Sequence, residues 1–167
     1  TTLSSRSYID YESPYHPVIG NSGMVVSQNN LSSDIGLEIL NKGGNAIDAA
    51  VAVGFSLAVT LPRAGNLGGG GFMLVYLKES DEIVYIDYRS KSPLNSNLEN
   101  IFDIINNTGK PYVTVPKDFD YDLFDVLDEG YKASALPGTV AGLLDAHSRF
   151  GKLTLKEVLT PVIKQAS

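Results

Sequence analysis

The sequence has no cysteine, and that absence excludes disulfide frameworks, thiolate zinc sites and a cysteine nucleophile. It does not assign a compartment. Basic residues are scarce: 13 Lys and Arg stand against 19 Asp and Glu, a formal net charge of -6. A sequence-independent nucleic-acid binder needs a basic face that displaces counterions, so this balance argues against one. Long hydrophobic runs are lacking too. The longest, Ala49 to Leu61, falls short of the roughly 20 residues that cross a bilayer. The opening residues do not show the charged-then-apolar pattern of a signal peptide. The expectation is a soluble protein with no nucleic-acid partner and no membrane span.

What is present is globular in character. Of 167 residues, 43% are hydrophobic and 19% charged, enough apolar material for one domain of ordinary size. Residues 1–22 read as an extended arm, polar and interrupted by Pro14 and Pro17. Gly23 to Gln28 is a short β-type run between turn signals. Ser32 and Ser33 are candidate N-caps for a helix reaching about Asn41, on which Ile35 and Ile39 form a narrow apolar stripe. Gly43-Gly44 ends that helix, since the residue after a C-cap often needs a positive φ. Asn45 caps the next helix, and Asp48 falls in its first turn, where a carboxylate complements the helix dipole. From Ala49 to Val59 this helix is apolar nearly all round, which predicts burial on most sides. Its small residues suggest close approach to a sheet, and Pro62 stops it.

Phe72–Leu77 and Ile83–Tyr88 are β-rich runs joined by the polar Lys78 to Glu82, a predicted hairpin. Thr139 is the expected cap of a helix to Arg149, and a further helix starts near Thr154, with Pro161 close to its start or kinking it. The order β-α-α-β-β-(mixed)-α-α defines an α+β fold class.

Between the second helix and the hairpin lies Leu-Pro-Arg-Ala-Gly-Asn-Leu-Gly-Gly-Gly-Gly-Phe, residues 61–72. A Walker loop needs Gly-Lys-Ser/Thr opening a helix, whereas these glycines run into a strand. A dinucleotide fingerprint needs three glycines in G-x-G-x-x-G after a strand; with Gly68 and Gly70 in the first two places, Met73 falls on the third. Apolar flanks argue against a free linker. The stretch therefore reads as a passage from the buried helix into a core strand, so crowded that side chains do not fit. Gly69 and Gly70 are the positions expected to reject a side chain.

These residues also carry a resemblance. Gly44 to Pro62 followed by Ala64 to Phe72 closely resembles the large-subunit segment of the gamma-glutamyltranspeptidase family. Ile86-Asp87-Tyr88-Arg89 with Pro93 is similar to that family's Asp-Phe-Arg-Glu-x-x-Pro. Leu136-Pro137-Gly138-Thr139-Val140-Ala141-Gly142 is similar to its Pro-Gly-Thr-Val-x-Gly stretch. The resemblance covers roughly Gly23 to Pro93 and Leu136 to Ala166.

The resemblance implies an N-terminal-nucleophile hydrolase, an αββα sandwich of which residues 1–167 would be a single incomplete domain. It implies a precursor that cleaves itself into large and small subunits, with a Thr of the small subunit as nucleophile and its own α-amine as base. The reaction is transfer of the gamma-glutamyl group of glutathione or related amides to water or an amino acid, with no metal and no organic cofactor. The partners implied are the rest of the large subunit and the small catalytic subunit, in a periplasmic or extracellular location.

One residue carries substrate binding in this comparison: Arg89, matching the family Arg that holds the α-carboxylate of the gamma-glutamyl group. A guanidinium offers a planar fork of donors suited to a carboxylate. Without the resemblance, Arg89 would read as a surface residue ending a hairpin. The sequence departs from the family at Ser90, where a Glu is usual, and the nucleophile motif is absent, so no catalytic residue is assigned within the chain. Thr1 reads as an ordinary terminus. His16 and His147 read as packing or surface residues, the carboxylates from Asp118 to Glu129 as a solvated loop, and the sequons at Asn30 and Asn106 as weak matches. Two other readings stay open: a sibling acylase of the cephalosporin acylase or poly-gamma-glutamate depolymerase type, and a truncated, non-catalytic paralogue acting as a binding module.

Overall fold

The computed structural model describes residues 18–94 and 134–167. Most of the predicted arm lies outside the described residues, as do Thr1, His16, Asn106 and the carboxylates from Asp118 to Glu129. The described elements are, in order, α1 (Asn30–Asn41), α2 (Ala46–Thr60), β1 (Phe72–Leu77), β2 (Glu82–Asp87), α3 (Thr139–Phe150) and α4 (Leu155–Ala166).

Helix α1 begins earlier than the serines suggest. Its N-cap is Asn29, whose side chain accepts from the Leu31 N–H at 2.9 Å. Ser32 is instead fully buried, with its hydroxyl 2.8 Å from that of Ser56 and 2.9 Å from that of Thr60 on α2. A hydroxyl on the same face as Ile35 and Ile39 is drawn into the helix interface, where it needs a polar partner. The expected strand over residues 23–28 does not form. The side chain of Val25 packs onto α1 at Gly36, where a Cβ would sit 2.7 Å from Val25 Cγ1. Among the described residues that apolar run packs on helices.

Helix α2 begins as predicted. Asn45 Oδ1 accepts from the N–H groups of Ile47 and Asp48, and Asp48 Oδ2 accepts from the Asn45 N–H at 2.9 Å, a reciprocal capping box. Among the described residues α2 packs mainly against the helices α1, α3 and α4, and Met73 of β1 packs on the same core. The small residues admit helix side chains, as at Gly54, where a Cβ would come 2.9 Å from Leu143 Cδ1 on α3. Burial is less complete than expected, with Ala50 and Val59 exposed. Ile35, Ile39, Val51, Ala52, Leu143 and Val158 form the shared core. Each large member contributes about 1.5–3 kcal/mol on burial.

The hairpin forms with the register Met73 opposite Ile86 and Val75 opposite Val84. One face, including Val75 and Ile86, is buried. Phe72, Leu74, Tyr76, Ile83 and Tyr85 point the other way and are exposed among the described residues. Among the described residues the chain after the glycines is thus a ribbon with one face in the core and the other exposed. Gly138, not Thr139, precedes the first turn of α3. Thr154 and Glu157 form a second capping box at α4, and Pro161 is buried within that helix without ending it.

Candidate functional site

The hairpin delivers its last residues to the place where the other two motifs meet. Beyond β2 the ladder continues by one more pair: the Gly71 N–H donates to the Tyr88 carbonyl at 3.3 Å, and the Tyr88 N–H donates to the Gly71 carbonyl at 3.1 Å. Three residues on, Lys91 and Leu136 exchange backbone hydrogen bonds of 3.1 and 2.7 Å. Arg89 and Ser90 lie between these two pairings. The Arg89 N–H itself donates to Asp87 Oδ1 at 2.9 Å, so its backbone is held on both sides and in the middle.

The glycines explain how three segments come so close. Real Cβ atoms essentially never approach another atom within 3.0 Å, yet a Cβ on Gly70 would lie well inside that distance of the Ser90 nitrogen and 2.7 Å from the Tyr88 oxygen. On Gly71 it would meet Tyr88 Cε2 at 2.8 Å. On Gly138 it would collide with the Tyr88 carbonyl oxygen, and on Gly142 with Cβ and Cγ of Tyr88. Gly138, which precedes the first turn of α3, and Gly142 on it are four apart, which places them one above the other at the helix start.

Gly69 behaves differently from expectation. A Cβ there meets nothing nearer than Asn66 Oδ1 at 3.4 Å. Its role is carried by its carbonyl, which accepts from the N–H of Gly138 at 2.8 Å and of Thr139 at 3.1 Å. No side chain caps α3, so the loop carbonyl satisfies donors that a helix start leaves open.

Arg89 is exposed and Tyr88 is half-buried. Burial raises the pKa of the Tyr88 phenol above its ordinary value. A neighbouring cleft, lined by Val25, Leu40, Ala49, Met73 and Leu143 among others, reaches Tyr88 but not Arg89. Its apolar walls suit packing, not a carboxylate.

A second polar cluster lies apart from Arg89. Asp48 is fully buried, and besides the Asn45 N–H it accepts from the N–H groups of Lys152 at 3.1 Å and Leu153 at 3.2 Å. Asn45 Nδ2 donates to the Phe150 carbonyl at 2.6 Å. His147 Nε2 lies 3.0 Å from the Leu153 carbonyl oxygen and 3.6 Å from Asp48 Oδ1. The capping pair of α2 thereby clamps the turn between α3 and α4, and His147 has the packing role expected of it. Among the described residues no group of three or more His, Asp or Glu side chains could hold a metal ion. No helix among them is long and apolar enough to cross a membrane.

Reading the sequence did not single out Tyr88, Gly138 or Gly142 as site-building residues. The i, i+4 glycines of α3 were the available signal, since glycines on one helix face indicate something packed closely against it.

The arrangement is an α+β scaffold presenting one arginine on a backbone held at several points. The sequence profile of the family described as Gamma-glutamyltranspeptidase matches residues 32–167. The chain belongs to the gamma-glutamyltranspeptidase family. It is 41% identical over 160 residues to the glutathione hydrolase proenzyme of Escherichia coli (strain K12), covering 96% of this chain and 25% of that protein. It is 38% identical over 154 residues to the acylase ACY 1 proenzyme of Pseudomonas sp. (strain SE83), covering 92% and 26%. The crystal structure of Helicobacter pylori gamma-glutamyltranspeptidase superposes with a TM-score of 0.71 at 38% identity, over 90% of this chain and 39% of that one. The chain spans about a quarter of the length of the curated relatives it matches. The incomplete α+β fold expected from the resemblance is the one observed.

Proposed function

We propose that the complete protein transfers or hydrolyses the gamma-glutamyl group of glutathione and related gamma-glutamyl amides. In this reading a Thr outside this chain attacks the gamma-carbonyl, using its own α-amine as base. The amide nitrogen leaves, and the acyl-enzyme passes its acyl group to water or to an amino acid. Arg89 holds the α-carboxylate of the donor through its bidentate fork, while the remaining large subunit and the small catalytic subunit complete the pocket. A periplasmic or extracellular location belongs to the same proposal.

The observation that carries this reading is family membership over residues 32–167; the assignment of Arg89 adds the motif resemblance to its exposure on a held backbone. Any mechanism that needs a fixed carboxylate gains from an arginine whose backbone does not move.

The acylase relative favours a second reading: an acylase of the same family, for which we take a glutaryl amide as the test substrate. Three amides of one amine separate the readings when offered to the full-length protein. The gamma-glutamyl amide has both α-amine and α-carboxylate, the glutaryl amide lacks the amine, and the 4-aminobutanoyl amide lacks the carboxylate. A gamma-glutamyltransferase turns over the first far better than the other two. Preference for the glutaryl amide would support the acylase, and no turnover of any would count against both.

A further inference from the structure

Arginine is a long side chain, and backbone hydrogen bonds alone do not decide the side from which it leaves. We propose that Tyr88 is the positioning residue for Arg89: its ring, seated between Gly71 and Gly142, fixes the backbone there and with it the side from which the Arg89 side chain leaves. This rests on Arg89 binding the donor carboxylate, and it adds how the chain achieves that.

Three observations meet at Tyr88. Its ring lies where side chains on Gly71 and Gly142 would stand, so both glycines keep the slot open. Its carbonyl lies against Gly138 and accepts from the Gly71 N–H. Its hydroxyl is 3.5 Å from the Phe72 carbonyl oxygen, too long for a strong hydrogen bond, so the ring's shape matters more than its hydroxyl. Successive side chains of an extended backbone point to opposite sides. With the Tyr88 ring turned onto α3, Arg89 is turned away from it, as the alternation of half-buried Tyr88, exposed Arg89 and half-buried Ser90 records.

Each competing place in the fold carries less. The apolar cleft beside α1 and the outer face of the hairpin have nothing among the described residues to say what covers them. The Asp48 cluster is fully occupied by backbone donors.

The test uses the full-length protein and a double-mutant cycle. Tyr88→Ala should raise KM for the gamma-glutamyl amide by about tenfold, a coupling of ordinary size for residues linked through a shared backbone. Tyr88→Phe should restore the parent KM. In an Arg89→Ala background Tyr88→Ala should add nothing, and on the 4-aminobutanoyl amide, which has no carboxylate for Arg89, it should change nothing. If Tyr88→Ala does not mature, Tyr88→Leu keeps a side chain in the slot and serves as the second variant, with the same KM signature in weaker form. A penalty that adds in full to that of Arg89→Ala, or that is equal on both amides, would overturn the positioning role and leave the Arg89 assignment standing. An unchanged KM in Arg89→Ala alone would overturn both.

Discussion

A Cβ on Gly142 would stand where Cβ and Cγ of Tyr88 already are. The helix from one motif and the strand end from another therefore touch through a missing side chain. The glycine loop closes the arrangement from a third side, with Gly70 against Ser90 and Gly71 against the Tyr88 ring.

The four loop glycines should consequently differ in tolerance. Gly68→Ala meets only Asn66 Oδ1 at 3.4 Å, and a surface change of that kind should stay within about 0.5 kcal/mol. Gly70→Ala places a methyl group against backbone atoms of Tyr88, Arg89 and Ser90. Backbone gives way less readily than a side chain, so a loss of roughly 1–3 kcal/mol or failure to fold is expected. Denaturant unfolding of the two full-length variants side by side checks the contrast.

Asp48 should be among the least replaceable polar residues described. Asp48→Ala leaves the N–H groups of Asn45, Lys152 and Leu153 without their acceptor. A fully buried donor left unpaired costs about 1–3 kcal/mol and these part-buried ones less apiece, so the variant should unfold at lower denaturant or fail to mature. Asp48→Asn keeps one carbonyl oxygen but turns an amide toward the same donors, and should fall between. A parent-like midpoint for Asp48→Ala would show that the clamp carries no weight.

Alkaline pH offers a separate check on Tyr88. Burial raises its pKa in the folded protein, so the unfolded chain ionises first. The stability this residue contributes is fully present below the ordinary tyrosine value of about 10. It is lost as pH rises from there through the raised folded value, because the unfolded state binds fewer protons over that range. Tyr88→Phe should remove that part of the alkaline decline. Unfolding midpoints of parent and variant should keep a constant gap below about pH 10 and separate above it as the parent falls further, or run parallel throughout if the phenol is not desolvated.

The residues that sequence reading placed correctly are those whose partners are near in sequence. Asn45 with Asp48, and Gly43 with its φ of 88° at the end of α1, follow from local capping rules. The hairpin follows from alternation and a polar turn. What was not legible depends on distant partners. Asp48 is read locally as a dipole complement, yet its further donors lie 104 and 105 residues away. Val25 and the small residues of α2 pointed to a sheet, because helix packing and strand burial both select apolar and small side chains. The crowding at Gly70 and Gly71 was foreseen in kind, but its location needed the position of Tyr88.

Arg89 is where structure and proposed chemistry join most directly. The decisive measurement is steady-state kinetics of the full-length Arg89→Ala and Arg89→Lys variants with a gamma-glutamyl amide, alongside the parent. Hydrogen bonds to a charged group are worth roughly 1.5–3 kcal/mol, so Arg89→Ala should lose about 10- to 100-fold in kcat/KM, mainly through KM. Arg89→Lys should recover only part, since an ammonium is not a planar fork. Parent-like KM and kcat in Arg89→Ala would contradict the assignment of the donor carboxylate to this arginine.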